Sequence, residues 1–208
     1  MKLVVAIEGV DGAGKSTLAR AVYRQCQDYG RPFTAVGRRG SHASRLVTKV
    51  TRLLYEEAAN LSAAADILIR LGREYQRALE AAAAPAGVVV LNRFLLSVLA
   101  RVRANGQDVA TVLPFFKEIS ASAGLWATVL VQCPCEIAFG RVRQRRRGSR
   151  PRTPEEEQRL RQLAGFVAED FRQGLLTGEQ WLIDNSGALG AAEEHLGRYL
   201  LPYLRGGS

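Results

Sequence analysis

Cysteine is scarce in this chain. Cys26, Cys133 and Cys135 are all there is. An odd number without framework spacing argues against a disulfide scaffold and points to a reducing, cytoplasmic compartment. Cys133-Pro134-Cys135 is C-x-C, the wrong spacing for a thioredoxin-type pair, so the thiols read as buried or incidental. Long apolar runs are missing as well. None approaches the roughly 20 residues that a membrane helix needs, and the short apolar start, residues 1–7, runs straight into a Gly-rich motif, as a strand does and a signal peptide does not. Aromatic residues are absent where an RNA binder would place them. Residues 141–152 hold seven arginines and no ring, which argues against nucleic acid as the partner. There is no internal repeat and no linker.

What is present is the balance of a soluble globular protein: 208 residues, 47% hydrophobic and 24% charged, enough for one α/β domain over residues 1–208. Net charge is +9, and nearly all of the 29 basic residues are arginine. Such a chain suits a polyanionic partner. Short β-branched runs at residues 4–7, 33–36, 87–91, 126–131 and 181–184 read as strands. Helical spacing occupies residues 16–29, 44–59, 62–84, 95–105, 109–122, 136–147, 155–176 and 191–204, with residues 205–208 as a tail. Thr153-Pro154 opens one of these helices as a cap followed by proline at its first turn. Strands alternating with helices predict a parallel sheet covered on both faces.

Gly9-Val10-Asp11-Gly12-Ala13-Gly14-Lys15-Ser16 fits G-x-x-x-x-G-K-[ST] and lies between a strand and a helix, the context that gives the pattern meaning. The glycines let backbone N–H groups converge on phosphate oxygens, and the helix adds its positive end. Lys15 would reach the β- and γ-phosphates of a nucleoside triphosphate, and the Ser16 hydroxyl would ligate Mg2+. No N-K-x-D element is present to read guanine. Asp184-Asn185-Ser186-Gly187 fits D-x-x-G but comes too late for a switch loop. A short P-loop chain with an Arg-rich segment late in its sequence points to a kinase with a closing lid, here residues 143–154.

Ile7 to Thr17, I-E-G-V-D-G-A-G-K-S-T, resembles the opening of the thymidylate kinases. Three later stretches agree in order and spacing: Val88 to Phe94 with that family's strand ending in D-R-Y, Glu136 to Arg141 followed by Arg150-x-Arg152 with its E-x-x-x-x-R helix and R-x-R lid, and Leu182 to Gly187 with its I-D-A-S-G turn. The resemblance implies a three-layer P-loop kinase using ATP and Mg2+. It places Gly9, Asp11, Gly12, Ala13, Gly14, Lys15, Ser16, Thr17, Arg141, Ser186 and Gly187 around ATP. Lys15 and Arg93 act on the transferred phosphoryl group. Ala13 stands where one branch of the family has arginine. In the other branch the lid supplies it, which implies Arg147, Arg150 and Arg152 in catalysis.

The departures fall on the acceptor side. Where the family has R-E-P-G-G-T, this chain reads Val36-Gly37-Arg38-Arg39-Gly40-Ser41. The family's F-x-A-D-R segment, which stacks on and reads thymine, has become Ala63-Ala64-Ala65-Asp66-Ile67. The tyrosine that crowds the sugar 2′ position falls at Arg101, and D-R-Y has become Asn92-Arg93-Phe94, with one carboxylate fewer near Mg2+. Acceptor candidates are therefore Asp11, Arg38, Arg39, Arg70, Asn92 and Arg101, and metal candidates are Ser16 and Asn92. A hydroxyl acceptor benefits from a carboxylate base, whereas a phosphate acceptor needs arginines. The loop after the second strand offers arginine and no acid, which favours a phosphorylated acceptor, although Asp11 or Glu8 could serve as a base. The expected function is phosphoryl transfer to a nucleoside monophosphate, with dTMP in doubt. Two alternatives stay open: a kinase of another small metabolite, and a nucleotide-binding regulator or RNA binder. A membrane partner is not expected, and a homodimer is left open.

Overall fold

The computed structural model describes residues 1–37, 63–145, 153–187 and 189–206. The helix expected at residues 44–59 lies outside them. Five strands, β1 (Lys2–Glu8), β2 (Phe33–Val36), β3 (Gly87–Asn92), β4 (Leu125–Gln132) and β5 (Glu179–Asp184), form one all-parallel sheet in the order β2-β3-β1-β4-β5. The described helices are α1 (Lys15–Asp28), α2 (Ala63–Ala83), α3 (Leu95–Ala104), α4 (Val109–Ser122), α5 (Cys135–Arg145), α6 (Pro154–Arg172) and α7 (Leu189–Arg205).

The near-continuous apolar strands follow from burial on both faces. Side chains alternate along a strand, so Leu3, Val5 and Ile7 of β1 enter one core with Leu18, Val22 and Cys26 of α1 and Leu196 and Leu200 of α7. Val4 and Ala6 enter the opposite core with Ile67 of α2, Leu95 and Leu99 of α3, Phe116 of α4 and Phe171 of α6. The result is a three-layer αβα sandwich. Cys26 is buried and free, and burial pushes its thiol up to about 11. Cys133 and Cys135 are also free.

Helix α6 is shorter than its expected span of 155–176. It starts in a full capping box, Thr153 with Glu156, and ends at Gln173 because Gly174 turns left-handed at φ 63°. Among the described residues, no helix is long and apolar enough to cross a membrane.

Register positions the site. Ile7 pairs with Asn92, Val36 with Leu91, and Gln132 with Asp184. The segments leaving these strands therefore emerge side by side, with β1 followed on one side by β3 and on the other by β4. This is the topological switch point, where open α/β sheets bind their ligands.

Candidate active site

The loop from Gly9 to Gly14 leaves the carboxyl end of β1 and feeds α1. Gly14 caps α1 in a left-handed conformation, φ 99°, with no side-chain cap. A Cβ there would lie 2.1 Å from Asn185 Nδ2, and one on Gly12 2.0 Å from the Ala138 carbonyl oxygen. Glycine is required at both positions, by backbone angle and by space. The Asn185 amide donates to the Ala13 carbonyl, 2.6 Å, and its own N–H to Gln132, 2.8 Å, fastening the P-loop to the ends of β4 and β5.

Beside this loop opens a cavity of about 470 Å3, lined by Asp11, Gly12 and Gly14 to Thr17, by Gly37, Asn92 and Arg93 beyond β2 and β3, and by Val142 and Arg145 of α5. Lys15 lies within it, its ammonium 2.6 Å from the Val10 carbonyl and its side chain largely buried. Asn92 Nδ2 donates to Ser16 Oγ at 3.1 Å, so the two metal candidates meet. These oxygens are neutral, and no cluster of three His, Cys, Asp or Glu groups that could hold a metal occurs among the described residues. The donor set fits an ion held mainly by phosphates and water, as Mg2+ prefers.

Arg93 is the lone non-glycine residue with positive φ, 58°, among the described residues. Such a conformation is costly and persists only where surroundings over-determine it. Its N–H donates to Ile7, 2.9 Å, and its carbonyl accepts from Arg77, 2.6 Å. The side chain is thereby turned to Asp11, with which its guanidinium pairs.

Arg77 itself is fully buried. It also donates to the carbonyls of Val36, 3.0 Å, and Asn92, 3.2 Å, and pairs with buried Glu74. It ties together the ends of β2 and β3 from beneath. Glu8, likewise fully buried, accepts from the N–H groups of Phe94, 2.8 Å, and Leu96, 3.1 Å, and from Ser97 Oγ, 2.6 Å. It caps the start of α3 with both oxygens, so the base role left open for it is closed.

Arg141 donates to the Asn185 carbonyl, 3.0 Å, and Ser186 is folded onto Asp184 by two 2.9 Å hydrogen bonds. Exposed Gly187 follows. This group sits on the far side of the P-loop and does not line the phosphate cavity. Arg70 is paired with Asp66 at 2.8 Å, and Arg101 lines a second, smaller cavity behind Asp11 and Arg93. Arg38, Arg39, Arg147, Arg150 and Arg152 lie outside the described residues. Sequence reasoning missed Glu74, Arg77, Asn185 and Arg145. A charged pair at i, i+3 on the helical face that also carries Ala78 and Ala81 was the legible sign of the first two.

A family model described as thymidylate kinase matches residues 7–175. A protein described as a probable thymidylate kinase, from Archaeoglobus fulgidus, is 28% identical over 152 residues, covering 69% of this chain and 70% of that protein. A match over most of the chain, on a P-loop that the fold sets beside the end of β3, makes this chain a member of the thymidylate kinase family, an ATP-dependent phosphotransferase of the nucleoside-monophosphate kinase kind.

Proposed function

We propose that this chain transfers the γ-phosphoryl group of ATP, with Mg2+, to an acceptor that is already phosphorylated, most simply a nucleoside monophosphate, and that dTMP is a poor one. The observation that carries this reading is the state of the two carboxylates nearest the reacting centre. Glu8 is committed to the start of α3, and Asp11 is paired with Arg93. Glu8 is thereby withdrawn from the cleft and Arg93 weakens Asp11 as a base, whereas a phosphate acceptor is anionic at neutral pH and needs no base.

In the transfer, an acceptor phosphate oxygen bonds to the γ-phosphorus as its bond to the β,γ-bridging oxygen breaks. ADP leaves with that electron pair. Lys15 and the loop N–H groups neutralise the donor phosphates, and Arg93 meets the charge that spreads over the moving group. Ser16 would hold Mg2+, with Asn92 beside it at 3.1 Å, and the ion would supply further charge neutralisation for the donor phosphates. Arg145, within the segment 143–154, lines the same cavity, which supports that segment as a lid supplying Arg147, Arg150 and Arg152.

Against dTMP stands residue 67. Where the family's D-R pair carries a base-reading arginine, this chain has Ile67, buried in the apolar core. Base–aromatic stacking, lost with the family's phenylalanine, is worth roughly 1–3 kcal/mol in nucleic-acid binders.

The test is ADP release over a panel of nucleosides, nucleoside monophosphates and phosphorylated metabolites. Monophosphates should be turned over and nucleosides not. Lys15→Ala should abolish release with the thermal melt retained, and full activity in that variant would sink the kinase reading. If dTMP reaches a kcat/KM of about 10⁴ M⁻¹ s⁻¹ or more and beats every other acceptor, the acceptor reading is wrong.

A further inference from the structure

Behind the phosphate cavity lies a smaller one of about 70 Å3, walled by Asp11 and Arg93, by Ser97 and Arg101 of α3, and by apolar side chains of α6 such as Leu163 and Val167. By volume it admits a few waters, and so a group of phosphate or carboxylate size. Arg101 is half-buried there, and among the described residues no hydrogen bond or ion pair reaches its guanidinium. Burial, and then the neighbouring guanidiniums of Arg70, Arg159 and Arg93, push its pKa down, while Asp66 pulls the other way. Asp11 and Arg93 share the cavity wall with Arg101, whereas Arg70, Arg159 and Asp66 act on it from outside that wall. Glu8 stands behind Ser97, its charge spent on the start of α3. Among the described residues the cavity wall holds two guanidiniums, Arg93 and Arg101, against the single carboxylate of Asp11, and it shares Asp11 and Arg93 with the phosphate cavity. An arginine held half out of water among like charges costs stability unless an anion answers it.

We propose that Arg101 binds a second anionic group of the acceptor in this cavity, a phosphate or carboxylate distinct from the phosphate that receives the γ-phosphoryl. The acceptor class is then a bisphosphorylated or carboxylated small molecule. This rests on the phosphotransferase reading for the acceptor's place in the cleft, but binding can be measured without turnover.

The experiment is titration calorimetry with the ATP site saturated by a non-hydrolysable ATP analogue. Adenosine and uridine 5′-monophosphates are compared with their 2′,5′- and 3′,5′-bisphosphates, and a sugar monophosphate with the matching bisphosphate and carboxylated monophosphate. The wild-type protein should bind the acceptors with a second anion at least about tenfold more tightly than their matched monophosphates, the worth of one charge-assisted hydrogen bond. Arg101→Gln should erase that ratio, and Arg101→Lys should keep part of it. Without ligand, Arg101→Gln should melt higher than wild type, because it relieves repulsion in the cluster. Equal binding of matched pairs, no binding of any, or a preference that survives in Arg101→Gln overturns the proposal. ADP release in the same panel, with Lys15→Ala as background, reports separately on the kinase reading.

Discussion

At the scale of single residues, the site depends on a side chain that never meets solvent. Arg77 holds three backbone carbonyls at the ends of β2 and β3, and with them the direction in which Asn92 and Arg93 leave the sheet. Arg77→Ala would strand Glu74 as a buried charge. Breaking a buried pair from one side costs about 3–5 kcal/mol, here towards the low end because Arg73 remains 3.1 Å from Glu74. Urea denaturation measures the loss. The double substitution Glu74→Leu with Arg77→Met should recover much of the stability, since both charges go together. If kcat stays low in that stable double variant, Arg77 is a positioning residue for Arg93. If kcat recovers with stability, it serves the fold alone.

At the scale of elements, α3 and α6 are joined by a contact with a pH signature. Asp170 of α6 is fully buried, and Arg103 of α3 comes within 2.9 Å of its Oδ1, yet no hydrogen bond points at either carboxylate oxygen. Burial pushes the Asp170 carboxyl from its ordinary 3.8 up to about 6, Arg103 holding it down and Glu169 adding to the rise. A carboxyl that holds its proton more tightly in the folded chain favours folding fully below about pH 4, and that contribution is lost as pH climbs through about 6. Between those values the effect is about 3 kcal/mol at most. Asp170→Asn should remove this slope from the stability profile, Arg103 keeping Glu169 at 3.0 Å as a partner. Denaturation midpoints from pH 4 to 7 decide it, and parallel profiles for the two proteins would contradict the assignment.

At the scale of the whole molecule, the net charge of +9 should steer anionic substrates to the cleft. The kcat/KM for the acceptor should therefore fall several-fold between about 0.02 and 0.3 M salt, as screening shortens the reach of the field. A flat salt profile would mean that encounter is not limiting. The layered fold and the P-loop were legible in the chain itself, because both rest on local pattern. Apolar runs with β-branching, helical spacing, and a glycine motif between them need no knowledge of distant residues. The family's departures at Ile67 and Arg101 were legible for the same reason. Tertiary structure alone decided that Asn92 meets Ser16, that Arg93 is bent onto Asp11, that Glu8 is spent on a helix start, and that Arg101 shares a small cavity with Arg93 and Asp11. These pairings join residues as much as 89 positions apart. Strand order, register and the docking of α2, α3 and α6 bring them together, and the alternation of side chains along any one element holds no record of which element will lie beside it.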